Sequence, residues 1–481
     1  MATWTRRRFL SEVGRGAAAA SCANLASLAG AALLAPRVAA RGVAAAELAA
    51  TVRWIRELSE ERLVPETVDR LRKGIAPREL WAATFLAGIE DVEPDSIGGP
   101  FHCVMVMPAV WQVATALLEA EQVLPLFYAL AEFKRSQRET RGRCDWTLPP
   151  PQSESALPSI EDARACLVTA CENWDVDAAD AAVTTLARAQ KRDEIVQALI
   201  PFGLRDWRAI GHHPIFMTAS FKTLDVIGWE RAEPVLRSLV HGLLVNGPSD
   251  DSLAFAQSRA AAERLIADGY PRAPRSPGVG AIPAEASKRM SLEKLGATVD
   301  SALGAAFKTL AQDGVDEPAW RALHDVGIEL MVASPGVLAV HATTGILALH
   351  ELADRSTDRR TKTVAVLQAA AWCALWRWSL ATRNGDAKPA VGLVERTRLS
   401  LESRPEAPDE FVRSNRLLLV AKGSEAHHWK YFAAIESVAR SGDRDRPWLN
   451  ARLAALPCFA RRADHDDFGP VAEARAALLA R

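Results

Sequence analysis

At 481 residues and a formal net charge of −1, the chain is long enough to bury a large core and too near neutrality to bind nucleic acid through bulk electrostatics. Nearly half of its residues are hydrophobic, yet only three are Tyr. A composition dominated by Ala and Leu with so few β-formers favours helices over strands.

The N-terminal segment Thr5-Arg6-Arg7-Arg8-Phe9-Leu10 precedes an uncharged Ala/Gly/Ser-rich stretch from Gly16 to Pro36. It reads as a twin-arginine signal, an address recognised by the export machinery rather than a structural element. Val38 and Ala40 offer a cleavage site after Ala40, and Ala44 with Ala46 offers a second. Residues 1–40 are therefore expected to be removed, leaving 41–481 as a single large all-α domain in the periplasm or outside the cell. Cleavage would take away five arginines and one glutamate, bringing the net charge to −5.

Along the rest of the chain the apolar residues recur at helical spacing, and almost nowhere do they alternate. Glu47 to Glu60 and Pro65 to Leu86 are the first two predicted helices. The triplet Pro149-Pro150-Pro151 marks Asp145 to Ser159 as a loop. Asp175 to Gln190, Asp193 to Phe202, His212 to Ile227 and Ala232 to Leu244 follow as helices at close spacing. Short connections predict antiparallel neighbours, so the expected fold is all-α: a multi-helical array of antiparallel helical hairpins around central apolar helices. Four prolines between Tyr270 and Ala286 place a subdomain boundary near 270–290.

Ser96 to Leu118 and Leu330 to His350 each run more than twenty residues without Asp, Glu, Lys or Arg. Internal Pro, Gly, His and Thr argue against membrane spans and for buried core helices. Thr363 to Trp378 is a third such helix. None of the seven cysteines forms a CxxC pair, which removes zinc ribbons, CxxCH haem attachment and thioredoxin chemistry. Cys103 and Cys373 read as buried small hydrophobes, and at most one disulfide is expected.

The candidate chemistry lies in the histidines. An imidazole on a core helix needs a hydrogen-bond partner or a ligand, and several such positions occur on different helices. His102 and His341 stand in apolar surroundings; His341 and His350 face opposite sides of one helix, and His341 is preferred because its setting is the more apolar. His213 shares a helical face with Met217 and Ser220, whereas His212 aligns with Phe216. His427 shares a face with Lys430 and Tyr431. No HExxH, Walker loop, GxGxxG or GxSxG is present, so no flavin or nicotinamide site of the usual kind is expected. Glu425 with His428 gives one ExxH, and the second that a di-iron carboxylate bundle requires is missing.

The segments GGPFHCVMVMPAVW around His102, GHHPIF from Gly211, PGVLAVHATTGILALHEL with LQAAAWCALWRW, and SEAHHWKYFAAIE from Ser424 resemble the questin oxidase-like proteins. These are all-helical, and the named member oxidises an aromatic polyketide in a Baeyer–Villiger-like reaction. Position by position the resemblance implicates His102, His213, His341, His427 and Lys430. An export signal separates this chain from that family.

Two functions are thus in play. One is an exported oxidoreductase whose central histidines bind a metal or haem, or act as acid and base, on a small substrate that the resemblance makes aromatic. The other is a non-enzymatic helical scaffold for a ligand or protein partner. The oxidoreductase reading predicts that at least three of His102, His213, His341 and His427 bring side-chain nitrogens within about 8 Å of a common point, with Met105, Met217, Trp372 and Trp376 as walls and Lys430 and Tyr431 at the rim. The scaffold reading predicts scattered histidines, each bonded to its own carbonyl.

Overall fold

The computed structural model describes residues 45–94, 99–144, 146–205, 211–247, 317–333, 337–383, 408–441 and 466–479, with positions 263 and 267. Among them the fold is helical throughout and contains no strand. The export signal, the cleavage site after Ala40 and the Tyr270–Ala286 boundary lie outside the described residues, while Ala46 of the second candidate cleavage site falls in the first described helix.

The first predicted helix is α1, Ala45–Glu57. The second divides in two: α2 is Leu63–Arg72 and α3 is Pro77–Asp91. The break falls at Gly74, whose φ of 99° suits a residue without a side chain, and Pro77 restarts the helix where a missing N–H costs nothing. Next come α4, His102–Met105, and α5, Met107–Thr115. Val106 keeps a helical conformation between them, donating to the His102 carbonyl and accepting from Val110, so the two run on as nearly one rod. The long α6, Leu124–Arg143, packs on both.

The segment from Trp146 to Ser159 forms a loop relieved by one short 3-10 turn. Ser159 caps α7, Ile160–Asn173, and Asp175 caps α8, Val176–Arg188, each accepting a backbone N–H of the first turn. Helices α9, Arg192–Gly203, α10, His212–Ile227, and α11, Ala232–Leu244, follow, the last two at the bounds read from sequence. The C-terminal half supplies α12, Glu317–Ala333, α13, Val337–Arg355, and α14, Arg359–Arg383. It ends with α15, Pro408–Lys422, α16, Ala426–Ser441, and α17, Gly469–Leu479.

Helix α13 is the axis of the site region. It packs against α10, α12, α14 and α16, while α4 and α5 close against α10, and α5 against α16. As the unbroken apolar runs imply, these helices are buried on nearly all sides, and no described helix is long and apolar enough to cross a membrane. Cys103 and Cys373 are buried, and among the described residues no disulfide joins the five cysteines. Cys22 and Cys458 lie outside the described residues.

Candidate functional site: a four-histidine cluster

Four helices begin at one place and bring their first histidines together. His102 is the first residue of α4, His212 the first of α10, His427 the second of α16, and His341 lies in the second turn of α13. The His102 ring centroid is 5.1 Å from His212, 4.5 Å from His427 and 6.3 Å from His341. His341 is in turn 4.7 Å from His212 and 4.9 Å from His427. One nitrogen from each of His102, His212 and His341 lies within 4.8 Å of the others.

Backbone geometry sets this arrangement. Gly211, the residue before α10, has φ of 92° and accommodates the Trp372 ring at the place where a side chain would project. Gly345 on α13 lies against the same ring, so close that an added Cβ would meet Trp372 Cζ3 at 2.6 Å. Two glycines and one buried Trp thus fix where α10 starts relative to α13 and α14.

The hydrogen bonds assign the protons. His341 Nδ1–H donates to the Val337 carbonyl at 2.7 Å, so its Nε2 carries a lone pair. That nitrogen is 3.0 Å from His212 Nε2, which supplies the proton between them. On the other side, Lys430 Nζ is 2.8 Å from His102 Nδ1. Burial, reinforced by Lys430, pushes His341 down to about 3 and His427 down to about 2. The same two causes, with the neighbouring histidines, hold His102 well below the usual histidine range. These imidazoles are neutral at physiological pH. Burial also brings the Lys430 ammonium down to about 7, opposed by buried Glu132 on α6. At neutral pH this amine both donates and accepts protons.

His102, His341 and His427 stand where the sequence places them. His213 does not join them: it is buried at the start of α10, and His212 takes its place in the cluster. Both positions of this helix are enclosed by protein, so a comparison of apolar faces does not distinguish them. Met105 borders the approach to the cluster. Met217 packs instead on α9, its sulfur over Gly203. Trp372 underpins the glycines behind the site, and the side chain of Trp376 lies outside the described residues. Lys430 and Tyr431 are not at a rim: both are buried, with Lys430 beside His102.

A common register accompanies the four histidines. At the third position after each stand Met105, Ile215, Thr344 and Lys430; at the seventh, Ala109, Ala219, Ala348 and Ala434. At the tenth stand Gln112, Lys222, Glu351 and Ser437, and all of these border one cleft. The four helices therefore run outward together from the cluster. Counting from His213 or His428 puts Ser220 or Ile435 at the seventh position and breaks the register. This repeated spacing is the signal that selects His212.

An all-imidazole donor set without thiolate or carboxylate suits zinc, copper, iron or nickel. Rings this close fit ligands of a single ion and leave no width for a porphyrin between them. No family model, curated protein or solved structure matches the chain.

Proposed function

We propose that the chain is an exported, metal-dependent oxidoreductase whose centre is held by His102, His212 and His341, with His427 as a fourth imidazole beside them. The observation that carries this reading is the meeting of three imidazole nitrogens, one from each ring, within 4.8 Å. An acid–base role for the rings is less favoured, because His341 at about 3 and His427 at about 2 are too weakly basic to carry protons near neutrality.

The anchoring of His341 Nδ1–H on a backbone carbonyl is the usual way a ligating histidine is held with its other nitrogen presented to a cation. A neutral Lys430 amine can accept a hydrogen bond from His102 Nδ1–H, a tautomer that leaves the lone pair on His102 Nε2 for an ion. Lys430, in contact with this ring, is also placed to pass a proton to or from the centre. A bound redox-active ion would supply electron transfer and polarise an oxygen atom of the substrate. The resemblance to questin oxidase-like proteins supports oxidation of a small aromatic compound. The Arg6-Arg7 segment supports export after folding, the route suited to a centre loaded before translocation.

The test is elemental analysis and an absorption spectrum of the full chain recovered from the periplasmic fraction of an expressing bacterium. About one equivalent of a transition metal, lost in His341→Ala, is expected. Protein that is absent from that fraction removes the export assignment. Protein that is metal-free and takes up no added iron, copper or zinc removes the metal centre and leaves the scaffold reading.

A further inference from the structure

The seventh residue after every site histidine is alanine. Ala109, Ala219, Ala348 and Ala434 are all buried, and all four border the same cleft. Spacing of three and four residues places one stripe of each helix toward a common interior. In a packed helical bundle such a layer is filled by Leu, Ile or Phe. Here the seventh position contributes only a methyl group from each helix, beside Pro108, Thr218, Leu347 and Ala433 at the sixth, and a narrow cleft remains that reaches Lys430 against His102.

The size of that cleft decides what it can carry. The cleft encloses about 70 Å³, whereas an apolar cavity holding benzene needs about 150 Å³. An aromatic ring does not pass it as it stands, and a diatomic molecule does. Its mouth is framed by two bridges. Lys222 pairs with Glu351 at 2.8 Å, and the Ser437 hydroxyl donates to Gln112 at 3.2 Å. The charges at the mouth are turned to each other, so little is offered to a hydrated ion. At the floor lies Lys430, in contact with His102.

We propose that the alanine layer is a passage for dioxygen to the histidine centre, separate from the route of any larger organic substrate. The identity of the gas rests on the metal-dependent oxidoreductase reading, while the passage itself does not. The four alanines act as a size filter, admitting a small apolar molecule and holding back anything with a ring or a charge.

Two measurements test this on the full chain. Xenon, which settles in dry apolar cavities, is expected between Ala109, Ala219, Ala348 and Ala434 in xenon-pressurised crystals, and to be absent from Ala434→Leu. This arm needs no metal. In iron-loaded protein, Ala434→Leu should slow nitric oxide binding by about tenfold with iron content unchanged. Ala434→Val, a smaller change that keeps the fold if Leu does not, should give an intermediate rate. Wild-type crystals without xenon at this layer, or filled variants that bind nitric oxide at the wild-type rate, overturn the passage. A chain that takes up xenon but no iron keeps the passage and loses the metal reading.

Discussion

His212 and Lys430 show how much of the site depends on single side chains that the surrounding protein has deprived of water. His212 shares its proton with His341 Nε2, whereas His213, one residue on, lies outside the ring cluster. His212→Ala is therefore expected to reduce metal affinity by at least about tenfold, and His213→Ala to leave it near wild type; competition with a coloured chelator reads both. Equal losses from the two variants would show that the cluster is not the binding centre. Burial of Lys430 comes at the expense of stability. Its native pKa is lowered from 10.5 to about 7, so between those values the unfolded chain holds a proton that the native chain does not. Stability of the metal-free protein should then rise with pH across that window. Lys430→Met should flatten the rise and make the protein more stable at pH 7, on the order of a few kcal/mol. Urea titrations from pH 7 to 10 decide it, and an unchanged slope in the variant would count against a buried, mostly neutral amine. Of the residues expected from sequence, His102 and His341 are legible because each stands in a long run without charge, and His427 and Lys430 because they share a helical face. His212 is not, because the first turns of α10 are buried all round and offer no polar face by which to tell His212 from His213.

At the scale of elements, the site is made by helix starts. Helical periodicity reveals α10 and α11 to the residue, since Gly211 and Gly228 bound the first and short turns bound the second. It fails at 65–86, where the apolar pattern runs on through a break made by Gly74 and Pro77. Nor does periodicity tell which helices meet: that His102 of α4 faces His427 of α16 is a fact of tertiary packing between segments far apart in the chain. The two glycines that bound α10 separate structural from functional effects. Gly211 has φ of 92° and its missing side chain faces Trp372, while Gly228 at the far end has φ of 104° and the flexible Glu230 carboxylate as its nearest neighbour. Alanine at either position pays a backbone penalty of about 1–3 kcal/mol. Gly211→Ala must in addition shift α10 or Trp372, carrying His212 out of line. The expected outcome is that both variants melt at lower temperature, and only Gly211→Ala loses metal affinity. Parallel melting curves and metal titrations would expose the opposite pattern.

At the scale of the whole molecule, the cluster ties residues from positions 102 to 427 into one centre, and its protonation acts on the stability of the entire fold. His102, His341 and His427 all have native pKa values far below the ordinary 6.5, at about 3 for His341 and about 2 for His427, because burial beside Lys430 disfavours their charged forms. Above pH 6.5 both folded and unfolded chains carry these rings neutral, and the stability is fully present. As pH falls below 6.5 the unfolded chain binds three protons that the native chain excludes, so stability is lost progressively down toward pH 3. Each ring contributes a slope of about 1.4 kcal/mol per pH unit, or about 4 kcal/mol per unit for the three. Against a typical total of about 5–15 kcal/mol, that slope is enough to unfold the metal-free protein within a few units of neutrality, before most carboxylates titrate. The metal-free protein is thus expected to denature at mildly acidic pH. His427→Leu should make the fall shallower by about a third, since one of the three rings no longer titrates. A bound metal should oppose unfolding near neutrality, because it binds the native arrangement alone, and this protection should itself fade as protons compete for the imidazoles. Urea midpoints at pH 7.5, 6 and 5, with and without metal, measure all of these. If stability stays level between pH 7 and 5 in the metal-free chain, the histidines are not held neutral in the native fold, and the electrostatic basis of the metal centre fails with them.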